Sequence, residues 1–488
     1  MPNIKIISML VFIACVAQGA ATDLTLLPNF TGSDVVLAVT RKIYKSAVFE
    51  DDFFLGHRVA LVASQFGTVP TLPPSTFRGI WQLSREQFNE TKTNPGLTLL
   101  RDRVREHWPQ EIGEWDLVTW EHLDISLHSG VAFQLFINTL REFPVETPFF
   151  ASLLVDQAQF YQEHVNPFVN ATDFVETVST YESSKLFKCS SPADLVFVQD
   201  ASCSVYPSNF TDAITYFSDV LGLFNFDQLR VGHVVYSNDV VVNFELDNEF
   251  STEEELREAL LNATRPAHQY TFTGAGISSA FQMFSSASQR EGGVPQILLS
   301  YTDGSTIDLL DEVTNKTLAA GVETITVATA FGWTDSQLLA VAHNKPGRVL
   351  KNGYTYSLST EFLYRSNLEF CSIPTSPPLG YSLTSVVLND ERRYFHYKVN
   401  NNSETMLNIR IGLVRGSIRG LYSWGKNETP DWVVHDGEII VEVGKQTSVT
   451  LNLEHDHNYQ EENHLFVGVM GFSTISEFNI VVNTLKNK

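Results

Sequence analysis

The chain has 488 residues, room for two to four domains at about 100–200 residues each. With 43% apolar and 18% charged residues it has a folding composition, and Gly 28 and Pro 19 exclude collagen-like and low-complexity filaments. Lys+Arg 33 against Asp+Glu 56 leaves a net charge of −23, whose field repels phosphate and argues against nucleic-acid and anionic-membrane partners; four cysteines are too few for a disulfide scaffold.

The first elements concern address. Lys5 precedes an apolar run over 6–17 and a small-residue exit, which predicts a secretory signal peptide over 1–21, cleaved near Ala20 or Ala21. The run is short of the ~20 residues that span a bilayer, and no later segment is long and apolar enough. Eight sequons, at Asn29, Asn89, Asn170, Asn209, Asn262, Asn315, Asn401 and Asn427, fit a secreted glycoprotein. Cys15 leaves with the signal peptide. Cys189, Cys203 and Cys371 remain, an odd number, so one is free or pairs with another chain.

Residues 24–182 predict an α-helical domain. Ser33 caps a helix through Val35, Val36, Ala38 and Val39 to Tyr44, and helical spacing returns over 51–66, 97–108, 121–140 and 147–164. Residues 189–371 alternate short apolar runs, at 194–200, 229–236, 296–302 and 323–330, with helical segments; Ser251 and Glu254 form a capping box for one of these. The alternation predicts a doubly wound, Rossmann-like α/β domain with its site at the carboxyl ends of the strands. A Pro/Ser linker over 372–378 leads to alternating runs over 379–488, which predict an antiparallel β-sandwich.

The first strand of the middle domain ends in Asp200-Ala-Ser202-Cys-Ser204. A carboxylate and two hydroxyls at alternate positions form a hard-oxygen set that suits magnesium or manganese. Thr271 and Asp303 supply further oxygens at the expected ends of other strand or loop segments.

Asp-x-Ser-x-Ser, then Thr-x-Thr-Gly at 271–274, then Thr-Asp-Gly at 302–304, resembles the von Willebrand factor A domain and its metal-ion-dependent adhesion site, over about 193–370. The resemblance implies that Asp200, Ser202, Ser204, Thr271 and Asp303 hold a divalent cation, magnesium or alternatively manganese or calcium. One coordination position would stay open for an Asp or Glu of an extracellular protein ligand. An acidic chain could then bind an acidic partner through the cation. Cys189 and Cys203 flank one strand and stand about 20 Å apart, too far for a disulfide. Cys371 follows the last helix, which returns to the pole of Cys189. Cys189–Cys371 then closes the domain, as in some members of the family. Cys203 is left as a buried free thiol or an interchain bridge. A glycan on Asn209 would crowd the ligand face.

Gly79-Ile-Trp81-Gln82-Leu-Ser84, after Val62-Ala63-Ser64-Gln65-Phe66, resembles the lysozyme-like fold of lytic transglycosylases and goose-type lysozymes. That family carries a general-acid Glu where this chain has Ala63, which cannot protonate a glycosidic oxygen. The resemblance implies a pseudoenzyme, with Trp81 and Gln82 as possible glycan contacts; the residues themselves favour Trp81 as part of the core. Two functions follow: divalent-cation-dependent adhesion or matrix assembly outside the cell, or glycan recognition in defence by the inactive lysozyme-like domain. Neither of these is enzymatic; an active hydrolase is a third, weaker reading, which Ala63 argues against.

Overall fold

The computed structural model describes residues 22–486 apart from 53, 70–75, 141–152, 190, 267–268, 303–305, 329–332, 353–359, 400–404, 426–427, 442–445 and 453–463. The predicted signal peptide and Asp303, Asn401 and Asn427 therefore lie outside the described residues.

A two-residue strand, β1 (Thr22–Asp23), precedes the helical region. Helix Ser33–Ser46 turns Val35, Val36, Val39 and Ile43 inward at a spacing of three to four residues. Gly32, at φ 117°, takes its N-cap position without a side-chain hydrogen bond, so Ser33 opens the helix rather than capping it. The apolar spacing over 51–66 yields helix Leu55–Ser64 only. Helix Ser126–Thr139 is buried on all sides and forms the centre around which the others pack. Strands β2 (Phe77–Arg78) and β3 (Leu83–Ser84) pair as a small hairpin. Arg58 and Glu182, both almost fully buried, meet at 2.8 Å and tie helix Leu55–Ser64 to helix Ala171–Lys185.

The middle domain is a six-stranded sheet of β4 (Ala193–Asp200), β5 (Leu229–Tyr236), β6 (Val240–Phe244), β7 (Gln296–Thr302), β8 (Glu323–Ala328) and β9 (Val349–Lys351), in the order β6-β5-β4-β7-β8-β9. Every residue of β4 is buried because helices cover both faces of the sheet. Five strands are parallel. The edge strand β6 runs antiparallel to β5 after a tight turn, so the sheet is mixed rather than uniformly parallel. The N-cap is Thr252 rather than Ser251, and the predicted capping box does not close: Thr252 Oγ1 accepts from Glu255 N, while Glu255 accepts from Ser251 N at 2.7 Å rather than from the N-cap residue.

Two four-stranded antiparallel sheets follow. The strands of this region are β10 (Leu383–Leu388), β11 (Arg392–Lys398), β12 (Thr405–Arg415), β13 (Ile418–Trp424), β14 (Val434–His435), β15 (Gly437–Ile440), β16 (Gln446–Asn452), β17 (His464–Gly471) and β18 (Ile475–Lys486). The orders are β10-β18-β12-β16 and β11-β17-β13-β15, with β14 outside both. Leu407, Ile409 and Ile411 of one sheet share a core with Leu465, Val467 and Val469 of the other, the alternation of a sandwich.

The three regions interlock. β1 pairs with β14, so the start of the helical region is stitched to the sandwich. Asp34 accepts from Trp432 Nε1 at 2.7 Å and meets Arg392 at 2.7 Å. Arg365 of helix Thr360–Phe370 meets Asp51 at 2.8 Å, and Lys345 meets Glu428 at 3.1 Å. Each pair of regions therefore shares a charged contact.

Candidate metal centre

Asp200 ends β4 with no solvent exposure. The backbone N–H of Ser202 donates to Oδ1 at 2.8 Å, and the Thr302 hydroxyl, at the end of adjacent β7, donates to Oδ2 at 2.9 Å. Both oxygens are thus fixed by neighbours. Ser202 and Ser204 bring their hydroxyl oxygens within 3.1 Å of each other. Arg265 reaches Ser202 O at 3.4 Å, also donates to Val205 O, and lies 5.6 Å above the Phe210 ring, which braces the loop from outside.

A second loop carries Thr271. Thr271 O accepts from the Thr306 hydroxyl at 3.0 Å and from Ile307 N at 3.1 Å. Tyr270 N donates to Asn238 Oδ1 at 2.8 Å, which ties the same loop to the β5–β6 turn. Asp308 accepts from Gly274 N at 3.1 Å and from Ala275 N at 2.9 Å, at the start of helix Thr273–Ser286. An acidic group there satisfies helix N–H groups that would lack partners. Sequence reading quoted Thr302 within its motif but gave it no role, and missed Thr306 and Asp308, because all three act by positioning residues distant in the chain. Asp303, the remaining acidic candidate, lies outside the described residues between Thr302 and Thr306.

The donor set fits a hard divalent cation. Asp200, Ser202, Ser204 and Thr271 offer oxygen only, on loops held by hydrogen bonds, without the nitrogen or sulfur that favours softer metals. Around the same loops, Tyr206, Tyr270, Ile307 and Leu309 are exposed. The loops that carry the polar residues therefore also expose large apolar side chains.

Cys189 and Cys371 form a disulfide with Cα atoms 5.0 Å apart. Cys203 is outside that bond and exposed, so the buried-thiol alternative is corrected: the thiol faces solvent between Ser202 and Ser204. Asn209 is 8% exposed, in the first turn of helix Pro207–Leu221. Asn29, Asn89, Asn170, Asn262 and Asn315 are exposed.

The proposed glycan contacts are corrected as well. Trp81 is 2% exposed, donates its indole N–H to Gly56 O at 2.7 Å and belongs to the helical core. Gln82 turns back to donate to Gly79 O at 2.7 Å. Ala63 is itself buried, and the adjacent Ser64 hydroxyl donates to Ile80 O at 2.6 Å.

Residues 194–362 match the family model described as the von Willebrand factor type A domain. Matrilin-3 of Mus musculus is 30% identical over 163 residues, 32% of this chain and 33% of that protein. Integrin alpha-1 of Gallus gallus is 32% identical over 166 residues, 33% of this chain and 56% of that protein. The chain thus spans about a third of the matrilin and just over half of the integrin. Among solved structures, proximal thread matrix protein 1 from the mussel byssus is 18% identical with a TM-score of 0.35, covering 41% of this chain and 50% of that chain. Manganese-loaded Plasmodium vivax TRAP protein is 16% identical with a TM-score of 0.30, covering 36% and 74%. With the family match lying on the sheet that carries Asp200, Ser202 and Ser204, the middle region of this chain is a von Willebrand factor type A domain.

Proposed function

We propose that this chain is a secreted, non-enzymatic glycoprotein whose A domain binds an extracellular protein through a divalent cation, in adhesion or matrix assembly. The observation that carries the reading is Asp200: a fully buried carboxylate with both oxygens held, beside paired serine hydroxyls. Asp200, Ser202, Ser204 and Thr271, with Asp303, are the residues that would hold the cation. When bound, magnesium or manganese supplies an electrophilic position for an external Asp or Glu carboxylate. The protein's own residues orient that position and keep the loops from shifting. Tyr206, Tyr270, Ile307 and Leu309 favour a partner that presents its acidic residue beside apolar ones. The matrilin, integrin and collagen relatives fit an extracellular role. The glycan-recognition alternative loses support, since Trp81 is core.

The test is binding of the whole chain to immobilised collagen, laminin and chitin, with magnesium, with a chelator, and as Asp200→Ala. The reading expects protein binding that both chelator and substitution abolish. Chelator-insensitive binding, or binding to chitin alone, contradicts it.

A further inference from the structure

A cleft of about 210 Å³ opens where all three domains meet, lined by helix Ser33–Ser46, the turn before β9, helix Thr360–Phe370 and Glu428. Five cations line it, Arg41, Lys45, Lys345, Arg348 and Arg365. This is a concentration of positive charge in a chain where acidic residues outnumber basic ones 56 to 33.

Three of the five are matched. Arg365 meets Asp51 at 2.8 Å; Lys345 lies 3.2 Å from Glu323 and 3.1 Å from Glu428; Arg348 lies 3.5 Å from Glu369 and 4.0 Å from Glu428. Arg41 and Lys45 are different. Among the described residues, neither has a carboxylate oxygen within 4.0 Å. The described contact of the Arg41 guanidinium is a long one, 3.4 Å to Leu368 O. The two stand one helical turn apart, a spacing at which like charges repel. Two neighbouring cations thus stand in one cleft without a carboxylate in direct contact, Glu369 and Glu428 of the same lining being engaged by Arg348 and Lys345.

We propose that this cleft is an oxyanion site, which takes the phosphate, sulfate or carboxylate group of a small ligand between Arg41 and Lys45. The guanidinium supplies a planar fork of donors and the ammonium a point charge, a pairing suited to a tetrahedral or planar oxyanion. The site is separate from the metal centre. Arg348 immediately precedes the edge strand β9, which stands three positions across the sheet from β4, the strand that Asp200 ends. Because the walls come from three domains, an occupied cleft would also hold the junction together.

The test uses the whole chain, dialysed free of divalent cations, titrated calorimetrically with inorganic phosphate, inorganic sulfate and glucuronate against chloride at equal ionic strength. The proposal expects at least one of the three to bind above the chloride background, and the one that binds identifies the source chemistry. It expects Arg41→Gln and Lys45→Gln each to weaken that binding at least tenfold, with Lys45→Arg retaining it. Lys45 is exposed, so its variants keep the fold, checked by circular dichroism, even if the Arg41 variant does not. No binding by the wild type beyond chloride overturns the proposal. So does equal binding by wild type and Lys45→Gln, which would mean an adventitious ion only.

Discussion

The Thr302 hydroxyl donates to Asp200 Oδ2 at 2.9 Å, so the ends of two adjacent parallel strands fix one carboxylate. Thr302 is a positioning residue: it sets the direction of Asp200. Thr302→Val is expected to weaken magnesium affinity about 10–100-fold, the usual cost of losing a partner behind a metal ligand. The domain should keep its fold. Calorimetric titration with magnesium checks this, and unchanged affinity in the valine variant would remove Thr302 from the account.

The Cys189–Cys371 bond closes a loop with a sequence separation of 182. In the chain-entropy model such a closure contributes about 5 kcal/mol. Urea unfolding of a Cys189→Ser, Cys371→Ser variant should show a loss of that order. A loss below about 1 kcal/mol would mean that strain or residual unfolded structure cancels the gain.

Arg58 and Glu182 are paired in the helical core, and Arg58 also donates to Gln157 Oε1 at 2.8 Å. Glu182→Ala leaves a buried guanidinium without its counter-charge, which costs about 3–5 kcal/mol. Replacing Arg58 by Met and Glu182 by Leu together should cost less than Glu182→Ala alone. Equal losses would show that packing, not charge, dominates there.

Acid should destabilise the chain below about pH 6.5, the ordinary histidine value. His233 on β5 is fully buried, 3.1 Å from Gln199 Oε1, and burial pushes its pKa down to about 3. Between those values the unfolded chain holds a proton that the folded chain does not. Stability is therefore complete above pH 6.5 and falls as pH drops towards 3, by up to about 1.4 kcal/mol per pH unit for this group. His57 is pushed to about 3 by burial and by Arg58, and adds to the same slope. Urea unfolding at pH 7.5, 6.5 and 5.5 should show His233→Leu with a shallower decline than the wild type. Parallel declines would contradict the assignment.

The metal loop was legible because its parts are local. The apolar run Leu195–Val198 gives way within two residues to Asp200, Ser202 and Ser204, the change of character expected at a strand end. The supports were not legible, because Thr306 and Asp308 act on residues of another loop and nothing near them in the chain announces it. Trp81 was ambiguous between core and glycan contact in the sequence, and the core reading holds: helix Ser126–Thr139 supplies Phe133 beside it, with ring centroids 6.3 Å apart. Adjacent Ser251 and Thr252 made the helix start ambiguous by one residue, since either can accept a capping hydrogen bond. The pairing of β1 with β14 joins opposite ends of the chain, where no periodicity carries information.

Manganese binding by the whole chain, measured by equilibrium dialysis for the wild type and Asp200→Ala, tests the central claim most directly. The account predicts one saturable site in the wild type and its loss in the variant, with the unfolding midpoint of the metal-free protein little changed. Undiminished manganese binding by Asp200→Ala, or none by the wild type, would contradict it.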